Sequence, residues 1–251
     1  MKETQQTPQF PTEEVTLPSK GILYPEDSPL KSGKITMKYM TAREEDILTN
    51  QNYIENGTVI DKLLQSLIVT PIDYNSLLVG DKNAILVAAR ILGYGAEYEF
   101  EYGGENHDIN LTEMKDKYLD DSLVKNNINE FEYVLPTSKS TVTFKFLTHG
   151  DERKIDQEIK GLKRLNKKGS FDISTRMKYV ITSINGDREN KDIRAFVDEQ
   201  LLAKDARSLR NYIKEIQPDI DLSFDYEEKN GDFKKVTIPI SINFFWPDVE
   251  L

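Results

Sequence analysis

The sequence has no cysteine and only two histidines, His107 and His149. Without cysteine, disulfides, thiolate zinc sites and cysteine nucleophiles are all excluded. The histidines lie far apart in the sequence, with no acidic or histidine residues at ligand spacing. A histidine-based metal site or triad would therefore have to be assembled from single residues. We predict no metal, no cofactor and no enzymatic activity, and the missing thiols fit a reducing cytoplasm.

Long apolar runs and positive charge are also lacking. No stretch approaches the roughly 18 apolar residues of a membrane span, and the sequence starts with a polar stretch, so neither membrane insertion nor secretion is expected. The net charge is −10, whereas binding to nucleic acid needs clustered positive charge. Nucleic acid is therefore not an expected partner. The 251 residues, 38% of them hydrophobic, suffice for one large domain or two smaller ones.

An internal repeat begins with two similar strands. Residues 34–41, KITMKYMT, align without a gap with residues 141–148, TVTFKFLT. Apolar and polar residues alternate in both segments, which is typical of a half-buried strand. Each segment ends in a threonine that precedes a carboxylate by three residues, in Thr41–Glu44 and Thr148–Asp151. This spacing predicts a capping box at the start of a helix after each strand.

Two further blocks extend the repeat. Apolar residues at helical spacing recur in both halves: Ile60, Leu63, Leu64, Leu67 and Ile68 in the first, Met177, Val180, Ile181 and Ile184 in the second. We interpret each set as one helix face. Residues 78–102 then align without a gap with residues 202–226, from a shared Leu-x-x-Asp to a shared Phe-x-Tyr.

The difference in residue number between matching positions of the two copies increases along the chain, while the residues within each block stay aligned. The second copy therefore carries insertions, and these lie in the loops between the blocks. We therefore predict an α+β fold of two tandem diverged repeats, each a small sheet with two or three helices, plus a flexible N-terminal arm. The expected boundaries are an arm at 1–14, a first repeat at 15–114, a connector at 115–138 and a second repeat at 139–251.

The carboxylates with the best spacing for chemistry fall in predicted first helical turns: Glu44, Glu45, Asp151 and Glu152. A catalytic acid-base pair is one interpretation, but capping and the helix dipole explain them more simply. Asp81 and Asp205 are likewise expected to be N-cap or first-turn residues rather than metal ligands. The basic stretch 160–168 is interpreted as a solvated helix face, with docking of an acidic partner as the alternative.

Two segments lie outside the repeat pattern found here. The first, VTLPSKGILYP at 15–25, has no recognised counterpart before the second copy, and the second, 238–247, ends in three aromatic residues and a proline. We predict that they bind a partner through Leu17, Pro18, Lys20, Gly21, Tyr24, Phe244, Phe245, Trp246 and Pro247. Closure of the core is the alternative for the aromatics. Truncating Leu17 or Trp246 is then expected to reduce partner binding more than thermal stability.

Six segments together resemble the baseplate hub assembly chaperones of T-even-type contractile phages. They are LPSKGILYP (17–25), KITMKYMTAREEDIL (34–48), LLVGDKNAILVAARILGYGAEYEFEY (77–102), HDINL (107–111), LLAKDARSLRNYI (201–213) and FFWP (244–247). They span almost the whole chain. Members of that family often carry Cys-x-x-Cys pairs where this chain has Gly103-Gly-Glu-Asn106, so no zinc knuckle is expected.

The resemblance implies a role in assembling the phage hub and tail. The expected partners are hub, tape-measure or other tail proteins, and binding would offer strands or apolar grooves to a partner segment. The implied location is the host cytoplasm during assembly. The alternative is a permanent structural subunit of the baseplate in the virion.

Overall fold

The computed structural model describes residues 11–167, 169–227, 231–238, 240 and 242–245. The strands are β1 (Thr12–Thr16), β2 (Lys34–Lys38), β3 (Glu97–Tyr102), β4 (Glu105–Asn110), β5 (Asp116–Lys117), β6 (Phe131–Val134), β7 (Thr141–Phe144), β8 (Ile181–Ile184), β9 (Asp219–Ile220), β10 (Ser223–Glu227) and β11 (Phe233–Thr237). The helices are α1 (Ala42–Leu48), α2 (Gln51–Glu55), α3 (Val59–Leu67), α4 (Val79–Tyr94), α5 (His149–Leu165), α6 (Asp172–Val180), α7 (Asn190–Glu199), α8 (Ala203–Ile216) and α9 (Ile242–Phe245). None of the described helices is long and apolar enough to cross a membrane.

The predicted α+β architecture of two related units is confirmed. In the first unit an antiparallel pair, β1–β2, is followed by α1, α3, the long helix α4 and the hairpin β3–β4. In the second, the pair β6–β7 is followed by α5, α6, the long helix α8 and the hairpin β10–β11. The second unit inserts β8, which pairs with β7, and α7. Strand β8 extends the sheet at its edge, α7 packs on α6 and β8, and the shared order is intact.

Both predicted capping boxes form. Thr41 and Glu44 make the reciprocal contacts at the start of α1, and Thr148 and Asp151 make them at the start of α5. The strand lysine that precedes each threonine completes the arrangement, since the Nζ atoms of Lys38 and Lys145 each lie 2.7 Å from the capping carboxylate. The carboxylates therefore tie each helix start to its strand, as capping residues do.

The Glu44 carboxylate gives a first stability prediction. Its side chain is fully buried. Burial raises the pKa of Glu44, but hydrogen bonds from Lys38, Thr41 and Ser66 outweigh it and lower the pKa to about 2. Since the folded pKa lies below the unfolded one, Glu44 stabilises the fold above about pH 4.5, and this contribution is lost as the pH falls toward 2. We expect Glu44→Gln to lower the free energy of unfolding at pH 7 by about 2 kcal/mol.

Urea unfolding between pH 2 and 7 tests this expectation. The Glu44→Gln protein should lose less stability on acidification than the unmodified protein. Glu55→Gln, at an exposed position, is the matched control and should change stability by less than about 0.5 kcal/mol. If the Glu44→Gln protein lost as much stability on acidification as the unmodified protein, the assigned role of Glu44 would be contradicted.

The segment after β1 has a counterpart, so the prediction that it is unique to the first copy is wrong. Leu17-Pro18-Ser19-Lys20 follows β1, and Leu135-Pro136-Thr137-Ser138-Lys139 follows β6. Leu17 and Leu135 are both 0% exposed. The two lysines share a left-handed backbone, with φ of 51° at Lys20 and 61° at Lys139. One inserted threonine conceals the match in a gapless comparison.

These paired segments explain the two aspartates. Asp81 accepts hydrogen bonds from the backbone N–H of Ser19 at 2.9 Å and from its hydroxyl at 2.6 Å. Asp205 accepts from the backbone N–H groups of Thr137 at 2.7 Å and Ser138 at 2.9 Å. Each aspartate lies in the first turn of its long helix and fixes the segment after the unit's first strand onto that helix. The first-turn interpretation of Asp81 and Asp205 is confirmed.

The predicted second-half helix face needs correction. Helix α6 ends at Val180, and Ile181 and Ile184 belong to strand β8. Ile181 is the counterpart of Ile68, because Met37 forms a β-bridge with Ile68 and Phe144 pairs with Ile181. Helices α3 and α6 correspond when their last residues are aligned. This alignment differs by one helical turn from the alignment that the apolar spacing indicated. Four apolar residues at mixed spacing fit a helix face and a strand equally well.

The predicted boundaries also shift. Residues Thr12–Glu14, assigned to the flexible arm, belong to β1, and residues 1–10 lie outside the described part of the chain. The predicted connector contains β5, which pairs with β9, and β6, which is the first strand of the second unit. The second unit therefore begins at Phe131 rather than at 139.

Backbone contacts and aromatic packing join the units. Leu78 forms an antiparallel bridge with Thr148, where the Val79 N–H donates to the Leu147 carbonyl at 3.0 Å. The two hairpins pack through aromatic rings: Phe100, Tyr102 and His107 from β3–β4, and Phe224 and Tyr226 from β10–β11. One hydrophobic core runs through both units.

Candidate functional site: a cationic groove between the two units

The predicted N-terminal binding segment lies mostly in the core. Leu17, Pro18, Gly21 and Tyr24 are buried, and only Lys20 is exposed. Gly21 has a φ of 75°, and a Cβ there would lie 2.4 Å from the Lys31 carbonyl oxygen, so the chain passes too closely for a side chain. The segment has the packing role that the sequence analysis did not find. It therefore offers little free surface, and the burial of Leu17 favours a contribution to stability over the predicted contribution to binding.

The C-terminal aromatics divide in the same way. Phe244 and Phe245, in α9, are both 0% exposed, and α9 packs on α4. The Phe244 ring lies 4.9 Å from the ring of Tyr98, in an edge-to-face contact. Closure of the core, the alternative interpretation, is therefore what these two phenylalanines do. Trp246 and Pro247 lie outside the described residues.

One histidine belongs to a polar cluster that the sequence did not reveal. His149, only 5% exposed, lies beside Lys82, Asp61 and Tyr74 of the first unit. The Lys82 Nζ is 2.5 Å from an Asp61 oxygen and 3.2 Å from the His149 Nδ1. Burial and the nearby Lys82 lower the pKa of His149, so a neutral imidazole accepts from the lysine at Nδ1. The cluster fixes the start of α5 on the first unit.

This cluster does not resemble a metal site or a nucleophile with its base. Its charged groups pair with each other, and its rings pack edge to face at 4.6 Å. Among the described residues no group of three or more His, Cys, Asp or Glu side chains is placed to hold a metal ion. The absence of enzymatic activity and of cofactors remains a prediction.

A groove of about 920 Å³ lies between the units. Its walls come from α8, the end of α6, the first turns of α4 and the segments around β5, β9 and β10. Its apolar lining is formed by Val79, Leu147, Met177, Val180, Ile213, Ile220 and Leu222. Apolar lining with charged walls is the character of a site for an amphipathic segment.

Basic side chains outnumber acidic ones in the groove. The seven basic residues are Lys115, Lys117, Lys145, Arg176, Arg210, Lys214 and Lys235, and the four acidic ones are Asp116, Glu152, Asp219 and Asp221. The excess lies on a chain whose net charge is −10. The groove is therefore a local positive region that attracts negatively charged ligands.

Ion pairs neutralise only part of this charge. Lys145 pairs with Asp151, and Arg176 pairs with Glu152. The Lys117 Nζ donates to the Lys214 carbonyl at 2.6 Å in the last turn of α8, which is a favourable position for a cation. Burial lowers the pKa of Lys117, although Asp219 opposes this. Within the described part of the chain, the side chains of Arg210 and Lys214 form no ion pair.

The chain matches no protein-family model, no curated protein and no solved structure. The function of the groove is therefore inferred from its own geometry.

No groove was predicted from the sequence, and Glu152, Met177 and Val180, which line it, were interpreted only as first-turn or helix-face residues. The basic stretch predicted for docking, 160–168, is described up to residue 167; residues 160–165 form the end of α5, and none of 160–167 is among the groove-lining residues. One signal was available: at aligned positions of the two long helices, Leu86 is replaced by Arg210 and Ala89 by Ile213. A cation in place of a core leucine indicates a helix face that the second unit leaves open.

Proposed function

We propose that this protein is an assembly factor of a contractile phage tail, acting by protein–protein binding, and most simply a chaperone of the baseplate hub. The single observation that carries a binding role is the open, cationic and apolar groove between the units. The proposed partners are hub, tape-measure or other tail proteins, met in the host cytoplasm during assembly. The phage assignment rests on the resemblance of six segments that span almost the whole chain.

The pairing of the described polar groups supports binding over catalysis. The carboxylates with the best spacing for chemistry cap helices or hold loops, and the histidine cluster is charge-paired. A folded scaffold with an open amphipathic groove is suited to hold a segment of another protein. A permanent structural subunit of the baseplate is the alternative role, since the same groove would serve in a finished particle.

Capture from infected cells, followed by mass spectrometry, tests the proposal. Tagged protein should recover a hub or tape-measure protein of the same phage, and charge reversal in the groove should reduce its yield. Mass spectrometry of purified virions separates the two roles, because a chaperone is absent from them and a subunit is present at stoichiometric level. Recovery of no tail protein, together with absence from virions, would refute both roles.

A further inference from the structure

The repeat shows how the first unit covers the surface that the second leaves open. Helix α9 packs on α4, and its Phe244 contacts Tyr98. Both parts of the first unit that α9 contacts have counterparts in the second unit, at the same distance along the sequence. Helix α8 corresponds to α4, and Leu222 corresponds to Tyr98. Leu222 and α8 residues line the groove. The groove therefore lies on α8 and Leu222, the counterparts of the two parts of the first unit that α9 contacts.

The corresponding residues of α4 and α8 differ in charge and exposure. On α4, Leu86 and Ala89 are buried, at 6% and 0% exposed. On α8, Arg210 and Ile213 are only partly buried and line the open groove. Lys214, two residues before the end of α8, is exposed beside them. The groove on α8 has an apolar lining together with Arg210 and Lys214, which pair with no acidic side chain of the described residues. It therefore fits a segment that differs from α9 by carrying negative charge.

We infer that the groove binds a short acidic, amphipathic segment of a partner protein, which inserts adjacent apolar side chains as α9 does with Phe244 and Phe245. The apolar side chains would lie on Ile213, Leu222 and their neighbours, and flanking carboxylates would pair with Arg210 and Lys214. This inference names the ligand class of the binding role proposed above and rests on it. The isolated protein is sufficient to test it.

The probe is a short fluorescein-labelled peptide in which two adjacent phenylalanines are flanked on each side by two glutamates. Fluorescence anisotropy with the full-length protein should show saturable binding that weakens as salt rises, because the charges are partly exposed. The double variant Arg210→Glu/Lys214→Glu should bind the probe at least about tenfold more weakly. Two further peptides should also bind at least about tenfold more weakly, one with lysines in place of the glutamates and one with serines in place of the phenylalanines.

The matched control is Lys160→Glu/Lys163→Glu, which makes the same charge change on the exposed face of α5. Its affinity for the probe should stay within about twofold of the unmodified protein. Equal losses in the two double variants would show diffuse attraction and overturn the assignment to the groove. Thermal melts of both variants check that each remains folded, and reversal of the exposed charges in the Lys160/Lys163 control should leave its melting temperature nearly unchanged.

Other occupants give distinct results that would overturn the inference. If residues 246–251 of the same chain fill the groove, Asp248→Lys/Glu250→Lys should raise probe affinity several-fold. A second copy would appear as a dimer in sedimentation that the probe dissociates. Tighter binding of a single-stranded oligonucleotide than of the probe would assign the groove to phosphate. If the probe binds as expected but no tail protein is captured, the groove assignment stands and the phage role fails.

Discussion

Leu17→Ala is expected to lower the free energy of unfolding by about 2–5 kcal/mol, the usual range for removing a fully buried leucine side chain. Leu17 is 0% exposed, and its N–H donates to the Gly33 carbonyl at 2.8 Å. The residue also precedes Ser19, whose two hydrogen bonds to Asp81 hold the segment on α4. A cavity at Leu17 therefore weakens both the packing and the loop that it positions. Urea unfolding at pH 7 measures the loss.

The repeat supplies the controls. Leu135 occupies the equivalent position and is also 0% exposed, so Leu135→Ala should cost a similar amount. Leu165 is 88% exposed, and Leu165→Ala should change stability by less than about 0.5 kcal/mol. A Leu17→Ala protein that melts like the Leu165 control but no longer captures a tail protein would restore the original interface interpretation of this segment.

The elements whose pattern is local could be predicted from the sequence. The threonine-to-carboxylate spacing identified both capping boxes, and strand alternation identified β2 and β7. Asp81 and Asp205 were placed in first turns because a carboxylate before an apolar helical pattern favours that position. These features depend on neighbours within one helical turn or one strand, so a sequence pattern determines them.

Features that depend on distant neighbours could not be predicted. Nothing in the Leu17 segment indicates that Asp81, 62 residues from Ser19, will bury it. The short run at Ile181–Ile184 becomes a strand because β7 is there to pair with it. The groove lies along α8, whereas α9 packs on α4, the equivalent long helix. Which of the two equivalent helices is covered depends on tertiary packing. The local sign of it noted in the sequence is Arg210 at the position equivalent to Leu86.

Gly80→Ala is expected to cost about 3 kcal/mol, at the upper end of the usual cost of overpacking. A Cβ on Gly80 would lie 1.9 Å from the Pro218 carbonyl oxygen and 3.0 Å from the Asp219 Cα. All of these contacts are with backbone, so no side-chain rotation relieves them. The first turn of α4 and the start of β9 must separate, and both line the groove. The variant should therefore lose stability in urea unfolding and also bind the acidic probe more weakly.

Gly161→Ala is the matched control, because it makes the same substitution within a helix at a site where a Cβ meets nothing within 4 Å. There the better helix propensity of alanine should stabilise the protein by about 0.5–1 kcal/mol. The same methyl group is thus expected to have opposite effects at the two glycines. If both variants gained stability, the close approach of α4 to β9 would be refuted, and with it the shape of the groove, since Asn83 and Asp219 line it from either side of that contact.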